Sequence, residues 1–348
     1  MSVSRTPLAT ALERGPLVLD GGLSNQLEAQ GCDLSDELWS ARLLADDPGQ
    51  IEAAHTAYAR AGARVLITSS YQATYEGFAH RGVGHEEATA LLRRSVELAR
   101  TGAERAAAER ATAADRAMAR APAVGERAAG GDRAAGGDQA ADDRAAEPVW
   151  VAASVGPYGA MLADGSEYRG RYGLSVAELA RFHRPRIEAL AAAGPDALAL
   201  ETVPDADEAA ALLSAVEGCG VPVWLSYSIA GETTRAGQPL REAFALAAGF
   251  DQVIAVGVNC CEPGDADRAV EIAADITGKP VVVYPNSGEE WDATARSWRG
   301  RATFDPGRVK AWRDAGARLI GGCCRVGPER IAELAAVVRN HQGVSGGS

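Results

Sequence analysis

Residues 317–324 read ARLIGGCC and are followed at 327–340 by GPERIAELAAVVRN. A short apolar run, then a loop, then apolar positions at helical spacing behind a first-turn proline predict a strand passing into a helix. The same unit recurs along the chain. Runs rich in Val, Ile and Leu stand at 16–22 (PLVLDGG), 63–71 (ARVLITSSY), 148–157 (PVWVAASVGP), 196–202 (DALALET), 222–229 (PVWLSYSI), 254–261 (IAVGVNCC) and 280–286 (PVVVYPN). Helical patterns lie between them at 48–62, 175–194, 205–220, 240–250 and 305–316, most ending at a glycine stop. Strands that are apolar throughout, each followed by a helix, belong to a parallel sheet covered on both faces. The eight runs predict an α/β chain folded as a (β/α)8 TIM barrel, ahead of an open doubly wound sheet.

One segment breaks the pattern. Residues 103–147 are nearly all Ala, Gly, Arg, Asp and Glu, with RAAGGD at 127–132 repeated at 133–138, and offer almost nothing to bury. The helical pattern from residue 86 runs into this segment. The expected organisation is one barrel domain over 1–348, with a long helix fraying into a mobile low-complexity surface insertion at 103–147. With 47% hydrophobic and 24% charged residues the chain can fill a full-sized core. Its net charge of −12 argues against nucleic acid or an anionic membrane as partner. The start lacks a signal-peptide core, and no run reaches the roughly 18 apolar residues that span a bilayer. These features predict a cytoplasmic protein, monomeric or a small homo-oligomer, acting on small molecules.

A barrel places its active site at the C-terminal strand ends and the loops after them. Asp20, Ser69, Glu201, Ser226, Asn259, Cys260, Asn286, Cys323 and Cys324 all fall there. Six cysteines in a reducing compartment are better read as metal-binding or catalytic than as a disulfide scaffold, and four of them form two CC pairs. The pairs end the sixth and eighth strands, close to each other on the rim. One thiol from the sixth strand with the pair from the eighth makes a three-sulfur zinc site whose fourth position stays open for substrate. Neighbours in a regular strand face opposite ways, so Cys323 and Cys324 share an ion only where the strand breaks, and Gly321 and Gly322 are expected to supply unusual torsions for that break. Alternation along the sixth strand puts Cys260 on one face with Val256 and Val258. Barrel interiors favour branched residues, so that face is expected inside and Cys261 outside.

GVNC at 257–260 and GGCC at 321–324 together resemble the zinc signature of the homocysteine S-methyltransferases. The blocks LDGGLSNQLEAQG (19–31), GPYGAMLADGSEYRGRYG (156–173), ALALETVPDADEA (197–209) and YPNSGEEWD (284–292) are similar to the rest of that family, and come closest to its stand-alone branch using S-methylmethionine or S-adenosylmethionine. The resemblance implies zinc held by Cys260, Cys323 and Cys324, with Cys261 left as packing. It implies homocysteine as methyl acceptor, its ammonium group held by Asp20 and Glu201. Gly21, Gly22 and Ser24 are candidate donors to its carboxylate, although many relatives carry Thr near Ser24. Asn259 and Asn286 are either orienting residues or turn residues.

Zinc would remove the proton from a thiol whose usual pKa is about 8.5, so no histidine is needed as a base, and His55 and His183 are read as packing or solvated. Other classes are a betaine- or corrinoid-dependent methyl transfer, a Schiff-base aldolase and a non-catalytic zinc-binding barrel. The aldolase reading is weak because Lys279 and Lys310 are the only lysines and neither ends a strand. A corrinoid enzyme lacks its D-x-H-x-x-G signature here.

Overall fold

The computed structural model describes residues 6–35, 38–120, 148–292 and 297–342. Eight parallel strands form its centre: β1 (Leu17–Val18), β2 (Val65–Ile67), β3 (Trp150–Val155), β4 (Ala197–Val203), β5 (Val223–Tyr227), β6 (Val253–Asn259), β7 (Val281–Tyr284) and β8 (Ala317–Ile320). Each coincides with one of the eight apolar runs, β4 and β6 extending one residue past theirs at Val203 and Val253. The pairing runs in chain order from β2 to β8, and β8 pairs with β1 through Leu17 and Leu319. The ring closes where Leu19 bridges Val65, with Arg64 N–H donating to the Val18 carbonyl at 2.7 Å. The fold is therefore the expected (β/α)8 barrel.

Alternation divides the strands into two cores. The outer one joins Val151, Leu198, Leu225, Val256, Val258, Val281 and Val283 to the buried faces of the surrounding helices. The inner one contains Trp150, Ala152, Ala199, Trp224, Ala255, Val282, Tyr284 and Leu319. The valines of β6 thus face the helices, contrary to the branched interior expected from the sequence. Trp150, Trp224 and Tyr284 take up much of the interior, and β3, β4 and β6 carry alanine at the inward positions Ala152, Ala199 and Ala255. At Gly257 a side chain has no room, because a Cβ would come within 1.8 Å of the Val282 carbonyl oxygen. The helix Leu8–Arg14 plugs the N-terminal end of the barrel with Leu8, Ala11 and Leu12, and Trp150 Nε1–H donates to the Thr6 carbonyl at 2.9 Å.

The long helix runs from His85 to Arg120. It keeps packing beyond residue 103: Ala103 and Ala106 are buried against the helix Pro48–Ala61, and Arg110 donates to the Ala59 carbonyl at 3.1 Å. Low-complexity composition therefore begins before packing ends, because alanine both favours a helix and fits a close helix pair. The first part of the segment expected as a disordered or helical insertion is thus helical, to Arg120. Residues 121–147 lie outside the described residues. No helix among the described residues is long and apolar enough to cross a membrane. Replacing 121–147 with a Gly/Ser segment of equal length should leave the urea midpoint unchanged. Extending the replacement back to 103 should cost about 2 kcal/mol or more, since glycine unwinds the last turns and strips Ala103 and Ala106 from their contacts.

Candidate metal and active site

The Sγ atoms of Cys260, Cys323 and Cys324 lie within 4.8 Å of one another at the mouth of the barrel, those of Cys260 and Cys324 being 3.7 Å apart. Strand alternation does not explain this. Val258 faces the helices and Asn259 the interior, so a continued strand would turn Cys260 outward. Cys260 instead adopts φ 50°, a left-handed torsion that swings its thiol over the mouth and sends Cys261 into the outer core, where it is fully buried. Cys260 thus lies in the cluster and Cys261 in the outer core. The register argument for that placement is corrected.

The eighth-strand pair is set by stitching rather than by glycine torsions. Cys323 N–H donates to the Pro285 carbonyl at 2.8 Å, Ser287 N–H to the Cys324 carbonyl at 2.9 Å, and Cys324 N–H to Asn286 Oδ1 at 3.2 Å. Gly321 and Gly322 are absent from the positive-φ residues; the left-handed residue of this loop is Arg325, φ 62°. What the glycines supply is space, because a Cβ on Gly321 would stand 2.5 Å from the Leu19 side chain and one on Gly322 2.2 Å from that of Val326.

Within the cluster, hydrogen bonds from Cys323 and Cys324 hold the Cys260 thiol well below its usual pKa, helped by Tyr168. The same contact with Cys260 pushes the Cys323 and Cys324 thiols up. The donor set fits a soft, tetrahedral ion: zinc with bonds of about 2.3 Å spaces its sulfurs about 3.8 Å apart. The observed 3.7 Å separation is also far beyond a disulfide. No carboxylate oxygen joins the group within that distance, which leaves three protein ligands among the described residues.

Below the thiols lie the acids. Asp20 follows β1, is 2% exposed, and accepts from Ile67 N–H at 2.8 Å. Burial pushes its carboxyl well above the usual range, and the nearby Glu201 adds to this. Glu201 in β4 is 6% exposed; it accepts from Tyr284 OH at 2.9 Å and from Ser154 Oγ, and burial raises its pKa to about 7. The next residue, Thr202, has φ 59°, a strained torsion for a β-branched residue. Asn259 holds it there: its Oδ1 accepts from Thr202 N–H at 2.7 Å and from Ser226 Oγ at 2.8 Å, while its Nδ2 donates to Thr202 Oγ1 at 2.7 Å. Asn259 is fully buried, so it acts through these neighbours rather than by touching a ligand. Asn286 is half-buried, and its Oδ1 accepts from Cys324 N–H.

In the first block, Gly22 N–H is already engaged by the Val326 carbonyl at 3.0 Å, which removes it as a free donor. Gly21 and Ser24 are half-buried at the start of the helix Leu23–Ala29. Gly21 has no space for a side chain, since a Cβ would meet the Val326 carbonyl oxygen at 2.0 Å.

Sequence reasoning passed over the residues of the loop after β3. Tyr168 OH lies 3.1 Å from Cys260 Sγ, and the Arg235 guanidinium covers its ring at 5.8 Å. Glu167 and Tyr71 sit beside them, the Tyr71 phenol feeling the charges of both Glu167 and Cys260. Glu167 and Tyr168 fall in the family-like block 156–173, but nothing in the sequence singled them out within its run of Tyr, Glu and Gly, which has no helical or strand periodicity. The loop is anchored from below. Arg186 donates to the Gly156 carbonyl and to His183 Nδ1, and His183 Nε2–H therefore donates to Glu208 Oε1 at 2.9 Å, which also accepts from Tyr158 N–H. His183 is a neutral packing residue, and burial holds its pKa well below the usual value. His55, also buried, is a packing residue as well.

The homocysteine S-methyltransferase family model matches residues 17–338. A homocysteine S-methyltransferase of Escherichia coli is 41% identical over 336 residues, covering 95% of this chain and 98% of its own length. Homocysteine S-methyltransferase 4 of Zea mays is 43% identical over 93% of this chain and 90% of its own. The crystal structure of the metallated homocysteine methyltransferase MmuM of Escherichia coli superposes with a TM-score of 0.76 at 40% identity, over 95% of this chain and 99% of that one.

The Asn259 network yields a stability test. Asn259→Ala removes both hydrogen bonds that Asn259 makes to Thr202 and should destabilise the protein by roughly 2–4 kcal/mol in urea unfolding. Thr202→Gly in that background should restore part of the loss, because glycine adopts the left-handed torsion freely.

Proposed function

The chain belongs to the homocysteine S-methyltransferase family and is an enzyme of the methyltransferase class; from that premise we propose that it moves a methyl group from a sulfonium donor, S-methylmethionine or S-adenosylmethionine, to homocysteine at a zinc site made by Cys260, Cys323 and Cys324. The observation that carries this reading is the three-thiol cluster at the barrel mouth. Zinc bound there would take up the homocysteine sulfur as a thiolate at its remaining position, making it a nucleophile at neutral pH.

The remaining work falls to side chains. Asp20 and Glu201 lie together beneath the cluster and would receive the substrate ammonium, whose charge offsets the desolvation of both carboxyls. Tyr284 and Ser154 fix the Glu201 carboxylate by hydrogen bonds, so it needs no reorientation when the ligand arrives. Tyr168 OH donates to the Cys260 sulfur and limits its electron donation. Gly21 and Ser24 remain candidates for the substrate carboxylate. A thiolate attacking a sulfonium loses both charges on the way to products, so a site closed to water favours the transition state over the separated reactants.

Purified protein should contain about one zinc per chain and form methionine from homocysteine with either sulfonium donor. Turnover with betaine alone, or only with a methylated corrinoid, would replace the donor assignment; zinc without any methyl transfer would leave a binding protein. Cys260→Ala should lose both zinc and turnover, whereas Cys261→Ala should keep both at a packing cost of about 1 kcal/mol. The reverse pattern would overturn the ligand set. Glu201→Gln should retain zinc and raise the KM for homocysteine about tenfold or more, as expected for loss of a buried charged contact.

A further inference from the structure

Glu167 is only 9% exposed, and nothing among the described residues donates to its Oε2 or forms an ion pair with it. A carboxylate removed from water without a partner is costly, and such a group persists where a ligand completes it. We propose that Glu167 receives the positive charge of the methyl donor, its free oxygen lying against the sulfonium while the methyl group points at the substrate thiolate. This rests on the sulfonium-dependent reading above.

The placement follows from the neighbours of Glu167. It sits in the turn Ser166–Tyr168, one residue before the tyrosine whose hydroxyl touches Cys260. Burial raises the Glu167 carboxyl to about 7, and the Cys260 charge adds to this. It is not a fourth ligand, because its oxygens do not come within 4.8 Å of the three sulfurs together. The turn is rigid: a Cβ on Gly159 would stand 2.5 Å from the Glu167 nitrogen and 2.8 Å from Tyr172 OH, so the chain packs directly on that glycine. For transfer, the methyl carbon must lie about 3–3.5 Å from the attacking sulfur, which brings the donor's sulfonium to the same side of the mouth as Glu167. Asp20 follows β1 and Glu201 stands on β4, and both are taken up by the acceptor. Tyr71, which feels both Glu167 and Cys260, adds a ring beside the same charge.

Because the sulfonium charge disappears on transfer, Glu167 contributes to donor binding and not to the chemical step. Glu167→Gln keeps the shape and removes the charge. It should keep zinc, raise the KM for S-methylmethionine about tenfold or more, leave kcat unreduced, and leave the KM for homocysteine within about threefold. Methionine, whose thioether sulfur is neutral, measured as a competitor of S-methylmethionine, should inhibit the variant about as well as the wild type. Glu167→Asp should recover part of the donor affinity, and decides the matter if the Gln variant drops its zinc. An unchanged donor KM, a loss in kcat alone, or an equal weakening of S-methylmethionine and methionine overturns the proposal. A wild-type enzyme inactive with both sulfonium donors would instead remove the premise, and is seen before any variant is made.

Discussion

The left-handed torsion at Cys260 is disfavoured in an L-residue by about 1–2 kcal/mol, and it persists because both of its sides are tied. The Cys260 N–H donates to the Tyr284 carbonyl at 3.2 Å, and its carbonyl accepts from Ser228 Oγ at 3.2 Å. Between these ties the side chain has one direction to go, over the mouth. A relaxed strand would present Cys260 to the helices and put Cys261 in its place, in the wrong position to meet the eighth-strand pair. The three-thiol cluster, the placement of Tyr168 and the burial of Cys261 all depend on that one turn.

A second left-handed residue, Thr202, stands at the end of β4, and the two are linked through Asn259, the residue before Cys260. Asn259 therefore secures the backbone beside Glu201 while its neighbour supplies a thiol. Strained torsions held by surrounding hydrogen bonds concentrate where a site needs fixed geometry. Ser226 extends this arrangement, since its Oγ contacts both Asn259 and the Tyr284 hydroxyl, which in turn donates to Glu201. Acid and thiol are thus parts of one buried polar network, and moving either disturbs the other.

The eight strands were legible because parallel strands buried on both faces are apolar throughout. Which face pointed inward was not, since alternation separates Val256 and Val258 from Gly257 and Asn259 without saying which pair is inside. The composition argument failed on β6 because Trp224 and Tyr284 fill much of the interior, so that Ala255 faces inward there and Val256 and Val258 face the helices. The thiol pairs, Asp20 and Glu201 were visible as polar residues ending apolar runs. Glu167 and Tyr168 were not, because they come from a loop whose position depends on tertiary anchors at Arg186 and Glu208. The glycines of GGCC were noticed for the right location and the wrong property: close packing on Leu19 and Val326 leaves no trace in the sequence beyond the absence of a side chain.

Strand β8 sits between β7 and β1, and the loop that leaves it carries two of the three thiols. During synthesis, seven strands emerge before it, and until it docks the sheet has two open edges and Cys260 has no companions. Closing that ring demands contacts between the two ends of the barrel sequence, the slow, long-range kind. The thiol cluster is therefore assembled by the same event that removes the exposed edges, so a nascent or truncated chain lacking the last strand offers a metal no three-coordinate site and cannot be loaded early.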